Sequence, residues 1–255
     1  MKFLAFTDLH YTDDNSHPDR FRPKSLDKVK RAIKNYSMDC DFLVNFGDTA
    51  DEVASAKEQT LLWQEVVDAM KESGKDYYLL IGNHDTSTRK EEWVKITGLK
   101  GRYYSFNACG YKVLVLDPNN NDTEIPYPEK EILWSETYID NEQFSWIEKE
   151  IEESENDVII FSHELLLMGS IENDDDHVVI NREKIIDCFE KSGKVKAVFC
   201  GHYHSGDYSE RNGIHYITFK AICTRDEESC AVVTVEKDFI RVEGFGTQDS
   251  IEIKL

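Results

Sequence analysis

The sequence lacks the features of membrane and secreted proteins. No apolar run approaches the ~18 residues that a membrane-spanning helix needs, and the first residues, MKFLAFTD, reach an aspartate before the apolar core of a signal peptide could develop. The six cysteines form no Cys-x-x-Cys pair, and several lie in apolar runs. That distribution favours buried, reduced thiols over disulfides or a structural zinc site. We therefore expect a cytoplasmic protein that makes no membrane contact.

Positive charge is also scarce. Lys and Arg together number 30 against 50 for Asp and Glu, which gives a formal net charge of −20, and no segment is rich in Lys or Arg. Such a surface repels duplex nucleic acid and anionic membranes, so we expect no nucleic-acid partner. A small anionic substrate would be repelled as well, unless a local source of positive charge such as a bound metal overrides the global field.

Linkers are absent too, since the chain has five prolines and no stretch rich in Pro, Gly and Ser. We expect residues 1–255 to form a single domain, and the hydrophobic share of 40% suits a globule with a sizeable core. The oligomeric state does not follow from the sequence.

Apolar runs with strand character alternate with helical patterns over most of the chain. From residue 214 onward the predicted strands follow one another without helices, and a βα repeat followed by such a meander predicts two packed sheets flanked by helices, a layered α/β sandwich. Ser25 and Asn181 are the predicted N-caps, Gly74 closes a helix, and Cys109-Gly110 is the turn of a hairpin. The predicted strands are 2–7, 41–48, 76–83, 102–108, 111–117, 157–163, 195–202, 214–222, 230–237 and 239–246, and the predicted helices are 25–38, 57–73, 88–96, 141–154 and 181–193.

Two of the eight histidines, His202 and His204, stand one residue apart at the end of an apolar strand. Residues i and i+2 of an extended backbone point to the same side, so these imidazoles converge. Convergence favours a ligand geometry, although an isolated His-x-His is more often a solvated turn.

Polar side chains follow four further apolar strands at their carboxyl ends. In open α/β sheets the ligand crevice lies at this edge, and carboxylate, amide and imidazole groups are typical ligands of a hard-to-borderline metal ion. The five strand ends carry Asp8 and His10, then Asp48, then Asn83, His84 and Asp85, then His163, and finally His202 and His204.

Five short blocks, which span residues 8 to 204, resemble the calcineurin-like metallophosphoesterase family and occur in that family's order: D-L-H (8–10), G-D-T-A-D (47–51), G-N-H-D (82–85), S-H (162–163) and G-H-Y-H (201–204). The resemblance implies a four-layer αββα sandwich of two mixed β-sheets flanked by helices, with a dinuclear metal centre. It also implies hydrolysis of a phosphate mono- or diester, or a nucleotide pyrophosphate, of a small molecule by a hydroxide that bridges the two ions.

The same resemblance assigns ligands to both ions, with one carboxylate shared. It places the first ion on Asp8, His10, Asp48 and His204, and the second on Asp48, Asn83, His163 and His202. The two histidines at the end of the last strand would thus serve one ion each.

His84 is the remaining family position, beside a ligand without being one. The resemblance implies that His84 protonates the leaving group or stabilises charge on the phosphoryl oxygens, a role that suits imidazole. Asp51 corresponds to the carboxylate that orients this histidine in some members, but Asp51 is equally compatible with a helix cap, and Asp85 is an alternative partner.

The metal and the substrate are less determined. The stretches KSGKVKAVFCGHYH and RNGIHYITFKAI resemble the branch with manganese-dependent ADP-ribose/CDP-alcohol diphosphatases and class III cyclic-nucleotide phosphodiesterases, which favours manganese. The same donors accept Fe, Zn, Co or Ni. Substrate contacts are expected from loops 11–24, 118–139 and 165–180.

Two other functions remain open at this point. Some DNA- or RNA-processing nucleases share the five blocks, but they need a basic track that this sequence lacks. A non-catalytic scaffold would have lost ligands, whereas every ligand position is filled here.

Overall fold

The computed structural model of the protein describes residues 1–14, 20–51, 55–87, 90–119, 135–169 and 176–255. Within these ranges the helices are α1 (Ser25–Tyr36), α2 (Ala56–Lys71), α3 (Lys90–Thr97), α4 (Asn141–Glu152) and α5 (Arg182–Ser192). The strands are β1 (Lys2–Phe6), β2 (Phe42–Asn45), β3 (Asp76–Leu79), β4 (Tyr104–Ala108), β5 (Tyr111–Val115), β6 (Val158–Phe161), β7 (Val195–Cys200), β8 (Asp207–Arg211), β9 (Ile214–Thr218), β10 (Ser229–Val235), β11 (Phe239–Gly246) and β12 (Ile251–Lys254).

The strands form two mixed sheets of six strands each. The first has the order β12-β11-β10-β1-β2-β3, in which β1, β2 and β3 are parallel and the remaining pairs are antiparallel. The second has the order β4-β5-β6-β7-β9-β8, in which β5, β6, β7 and β9 are parallel and both edge strands are antiparallel. The sequence prediction of two mixed sheets with flanking helices is confirmed.

Three apolar clusters separate four layers. The inner cluster joins the facing sides of the two sheets, where the Phe3 ring lies 5.4 Å from Phe42 of its own sheet and 5.3 Å from Phe161 of the other. One outer cluster packs α1, α2 and α3 on the first sheet, and the other packs α4 and α5 on the second. Strands buried on both faces read as continuous apolar runs, which is why β2 (FLVN) and β6 (VIIF) are almost free of polar residues.

This layering brings the carboxyl ends of β1, β2, β3, β6 and β7 to one edge of the sandwich. The loops beyond these strands are joined across both sheets: the amide of Asp8 donates to the carbonyl of Gly47 (3.0 Å), and the amide of His202 donates to the Asp8 carboxylate (3.1 Å). The loops that carry the predicted site residues at this edge are therefore held together by hydrogen bonds between residues far apart in sequence.

Two strands and two caps differ from the prediction. Strands β8 and β12 were not predicted, because β8 (DYSER) is a polar edge strand and β12 (IEIK) is short. Ser25 is the first residue of α1 and does not cap it, since the 3₁₀ turn Arg22–Lys24 runs directly into the helix. Asn181 stands at the N-cap of α5, but its amide instead pairs with both backbone groups of Ile139 (3.0 and 2.7 Å).

Other local predictions are confirmed. The hairpin of β4 and β5 turns at Cys109-Gly110, and Gly74 follows α2 with a φ of +69°. Residues 88–89 of the predicted third helix, and parts of the three predicted substrate loops (15–19, 120–134 and 170–175), lie outside the described residues. Among the described helices, none combines the length and the apolarity needed to cross a membrane.

Candidate metal centre

The predicted site residues occupy strained backbone directly after the parallel strands. Asp8, His10, Asp48 and His202 have φ values of +53°, +44°, +49° and +66°. Non-glycine residues rarely adopt this left-handed region, and such strain concentrates at functional sites because the surrounding structure must enforce it. Here it is enforced by the bonds between loops, among them the amide of His10 on the carbonyl of Asp48 (2.9 Å).

Two glycines allow the loops to approach this closely. A Cβ on Gly82 would overlap the carboxylate and backbone nitrogen of Asp48, and a Cβ on Gly201 would overlap the Thr7 hydroxyl and lie 3.1 Å from the Asp8 carboxylate. A larger residue at Gly82 would push the Asp48 carboxylate out of place, and one at Gly201 would displace Thr7 and crowd Asp8. The glycine in the G-N-H-D and G-H-Y-H blocks is thus a packing requirement of the site.

Asp8, His10, Asp48 and His204 come together as the first predicted ligand set. The His10 Nε2 atom lies 3.2 Å from His204 Nε2 and 3.4 Å from Asp48 Oδ2. His204 Nε2 is also 3.4 Å from Asp8 Oδ1. Separations of this size between donor atoms allow the four side chains to share one cation.

The second predicted set meets on the other side of Asp48. His163 Nε2 lies 3.4 Å from Asp48 Oδ2, and donor atoms of Asp48, His163 and His202 all lie within 4.8 Å of one another. Asn83 is 1% exposed and lines the same cavity. Asp48 Oδ2 is therefore equally distant from His10 and from His163, which is the position expected of a shared carboxylate.

Among the described residues, three buried donor atoms of these sets make no hydrogen bond of good geometry and have at most another predicted ligand beside them: Asp8 Oδ1, Asn83 Oδ1 and His163 Nε2. A buried polar atom without a partner costs about 1–3 kcal/mol, so native proteins rarely leave several in one place. All three are oxygen or imidazole nitrogen, and they face a common space with two carboxylates. The donor set fits a pair of divalent cations.

His84 has a carboxylate partner, and it is Asp51. The Asp51 Oδ1 atom lies 3.0 Å from His84 Nδ1 and 3.4 Å from His10 Nδ1, and its other oxygen pairs with the buried guanidinium of Arg22. The alternative role of Asp51 as a helix cap is excluded, because the side chain of Ser55 caps α2.

Asp85 is directed elsewhere. Its carboxylate accepts hydrogen bonds from the amides of Thr49, Ala50 and Gly82 at 3.0–3.3 Å and from the indole of Trp63 at 2.8 Å. Asp85 therefore braces the loop that carries Asp48 and makes no contact that would orient the His84 ring.

The protonation states suit cation binding. Burial, together with the neighbouring His84, lowers the pKa of His10 to about 4, and burial with the neighbouring His163 lowers the pKa of His202 to about 3. Burial alone would raise the pKa of Asp48, but the charges of His163, His84 and His10 bring that pKa well below its usual value. Neutral imidazoles beside ionised carboxylates are the forms that bind metals. Burial alone would lower the pKa of His163, but the neighbouring carboxylates raise it well above its usual value, so His163 must release a proton to bind a metal.

The structure adds three groups to this site: Cys223, which sequence reasoning missed, and His177 and Arg22, which it expected only as parts of the substrate loops 165–180 and 11–24. The Cys223 thiol is buried, and its sulfur lies within 4.8 Å of the donor atoms of His10 and His204. His177 lines the cavity with its ring 5.5 Å from that of His202. Arg22 forms an ion pair with Asp51 and so places a positive charge on that side of the site. No local pattern marks Cys223, because it reaches the site only through its backbone bond to the carbonyl of Asp8 (3.3 Å).

The donor atoms open into a cavity of about 350 Å³, whose wall also includes Arg20, Tyr203 and Ser205. A volume of this order suits a small-molecule group. Arg20 adds positive charge at the rim, in keeping with an anionic ligand.

Comparison with known proteins agrees with this geometry. A family model described as calcineurin-like phosphoesterase matches residues 1–206. A probable cyclic nucleotide phosphodiesterase of Fibrobacter succinogenes is 25% identical over 216 residues, which cover 80% of this chain and 73% of the relative. The manganese-dependent ADP-ribose/CDP-alcohol diphosphatase of Arabidopsis thaliana is 21% identical, with 87% of this chain and 86% of that protein covered.

The fold is shared with a dimetal phosphatase from Danio rerio. The two structures superpose with a TM-score of 0.82 at 16% identity, over 100% of this chain and 98% of the other. This likeness confirms the fold that the five blocks predict.

Proposed function

Because the chain belongs to the calcineurin-like phosphoesterase family, we propose that it is a two-metal phosphoesterase that hydrolyses a phosphate mono- or diester, or a nucleotide pyrophosphate, of a small molecule. The observation that carries this proposal is the position of Asp48, whose Oδ2 lies 3.4 Å from both His10 and His163. A carboxylate so placed is suited to bridge two ions.

In this proposal each ion has four protein ligands. Asp8, His10, Asp48 and His204 hold the first ion, and Asp48, Asn83, His163 and His202 hold the second. Once bound, the two ions would polarise the phosphoryl oxygens and lower the pKa of a coordinated water so that it attacks near neutral pH. The strained backbone and the two close-packed glycines keep these side chains in place before substrate arrives.

His84 completes the chemistry from outside both ligand sets. The ring lines the cavity beside His10 and is half-buried, so one face reaches the substrate while Asp51 holds its Nδ1. Bound in this way, His84 presents its Nε2 to the leaving oxygen and donates a proton as the ester bond breaks. Asp51 and Arg22 act through His84 and fix its orientation.

We propose manganese as the metal. The Arabidopsis relative is named as manganese-dependent, and a mixed set of carboxylate, amide and imidazole donors is compatible with it. Iron, zinc, cobalt and nickel are the other candidates.

The expected setting is the cytoplasm, with a small phosphoester as partner. All six cysteines are free, and four of them are buried, which suits a reducing compartment. The net charge of −20 disfavours a nuclease, since nucleic acid would meet repulsion over most of the surface.

Metal titration followed by turnover tests the proposal. Protein stripped of metal should take up two manganese ions per chain and then hydrolyse the diester bis(p-nitrophenyl) phosphate or the monoester p-nitrophenyl phosphate. The substrate that is hydrolysed faster shows whether the enzyme prefers diesters or monoesters. Asp48→Ala, which removes the ligand shared by both ions, should take up fewer than two ions per chain and reduce turnover about 100- to 1,000-fold. Asp39→Ala, which removes an exposed carboxylate outside the site, is the matched control.

Full activity of Asp48→Ala after stripping and reconstitution would refute the assignment. A single-stranded DNA substrate, run in parallel, separates a nuclease from a small-molecule enzyme.

A further inference from the structure

A second cleft adjoins the metal centre. It has a volume of about 890 Å³ and shares His204 and Ser205 with the cavity described above. Its remaining walls come from Phe21, Lys220, Thr224, Arg225 and Thr247. We call it the basic cleft. A group bound at the metals can therefore extend past His204 into it without leaving the protein surface.

The basic cleft carries positive charge in a strongly acidic protein. Lys220 and Arg225 line it, no carboxylate is among the seven lining residues that the structure describes, and Arg20 lies on the wall of the adjoining cavity. Asp249 pairs with Lys220 at 2.6 Å and offsets part of its charge, although the Asp249 side chain is 81% exposed and solvent weakens this pair. Against a net charge of −20, a local excess of cations beside a phosphate site is a specific feature.

The loop that carries both cations is tied to the metal centre. The amide of Ala221 donates to the carbonyl of His204 (3.1 Å), and the amide of Ile222 donates to that of Thr7 (3.1 Å). The Lys28 ammonium reaches the carbonyls of Ile222 and Arg225, which anchors the far side of the loop. The backbone that carries Lys220 and Arg225 is thus held at a fixed place relative to the ligands.

The chemistry of the walls indicates the ligand. Two cations and the hydroxyls of Ser205 and Thr247 offer donors to an anion, and phosphate oxygens accept such donors well. Phe21 adds an apolar wall, and a cleft of this size has room for an organic group beside the anion. A substrate with a single phosphate and two uncharged ester groups would leave these cations unused.

We propose that the basic cleft is a subsite for a second phosphate of the substrate, so that compounds with two linked phosphates bind better than compounds with one. The phosphate to be cleaved lies at the metal centre, and the second phosphate lies against Lys220 and Arg225. This inference rests on the proposed function, because the metal centre defines which phosphate is the first.

The test uses the full chain loaded with manganese and two substrates, diadenosine diphosphate and bis(p-nitrophenyl) phosphate. Lys220→Ala/Arg225→Ala should raise KM for the diphosphate about ten-fold. The same variant should raise KM for bis(p-nitrophenyl) phosphate by no more than about two-fold. Added salt should raise the wild-type KM for the diphosphate more steeply than that of the double variant. The control Lys34→Ala/Arg241→Ala removes the same charge from surfaces outside the cleft and should change neither the KM for the diphosphate nor the KM for bis(p-nitrophenyl) phosphate.

Direct binding separates failure of the subsite from failure of the enzyme. Calorimetry on the same loaded proteins should show that the cleft variant loses about ten-fold in affinity for ADP and much less for AMP. If the wild type hydrolyses the substrates and the variant affects both KM values equally or neither, the subsite is refuted while the enzyme stands. If the wild type hydrolyses nothing, the proposed function fails. If the cleft variant then loses equal affinity for ADP and AMP, the proposal that the cleft binds a second phosphate fails as well.

Discussion

The contact between His84 and Asp51 gives the sharpest test of how the site works. Asp51→Asn keeps the size of the side chain but removes the charge that faces His84 Nδ1 at 3.0 Å. Two unit charges at this distance interact by about 5 kcal/mol at an effective dielectric constant of about 20. His84 is 22% exposed and Arg22 shares the carboxylate, so we discount the figure to about 1.4–3 kcal/mol.

The ionised Asp51 favours the protonated form of its partner, so its removal should shift the alkaline limb of the pH–rate profile to lower pH. Since a general acid contributes about 100- to 10,000-fold in rate, partial loss of its orientation should lower kcat about 10- to 100-fold. Profiles of kcat against pH measure both effects, at a metal content matched by elemental analysis.

Asp85→Asn is the matched control, because it makes the same chemical change on the residue next to His84, whose carboxylate bonds to backbone amides and to Trp63 instead of the His84 ring. Its amide would face the N–H groups of Thr49 and Gly82, so we expect a loss of about 2–3 kcal/mol in the free energy of unfolding and no shift of the alkaline limb. An Asp51→Asn profile that coincides with the wild type at equal metal content, or a shift seen only in Asp85→Asn, would refute the role of Asp51.

Two further predictions concern packing and pH. Gly82→Ala should displace the Asp48 carboxylate and lower metal-dependent turnover at least about 100-fold. The control is Gly74→Ala, where a Cβ meets nothing within 4 Å; it should lower the free energy of unfolding by about 1 kcal/mol and keep full turnover. Equal turnover by the two variants would contradict the packing role of Gly82. Burial raises the pKa of Glu164 from 4.5 to about 7, so the folded protein favours the protonated form of this side chain. The free energy of unfolding of the metal-free protein should therefore fall by about 3 kcal/mol as the pH rises from about 4.5 to 7. Glu164→Gln should flatten that part of the curve in denaturant titrations at each pH, and an unchanged slope would show that Glu164 does not cause it.

Local patterns were enough to predict the layered fold. The apolar runs of β2 and β6 and the spacing of helical faces depend on neighbours a few residues away, so they can be read without knowledge of the fold. Strand β8 escaped prediction because an edge strand that faces solvent has a polar composition. That residues 1–255 form one domain stays a prediction, as does the metal that the site binds.

The sequence by itself determined which side chains stand at the carboxyl ends of strands, and within each sheet the parallel strands bring those ends to one edge. It placed Asp8, Asp48 and His202 at such ends, although 194 residues separate the first from the last. Only the tertiary structure decided how they meet: that Asp48 lies midway between two histidines and that Asp51, not Asp85, faces His84. It also brought Cys223 and the basic cleft beside the ligands, because distances between side chains on different loops depend on how the two sheets pack, and no stretch of local sequence encodes that packing alone.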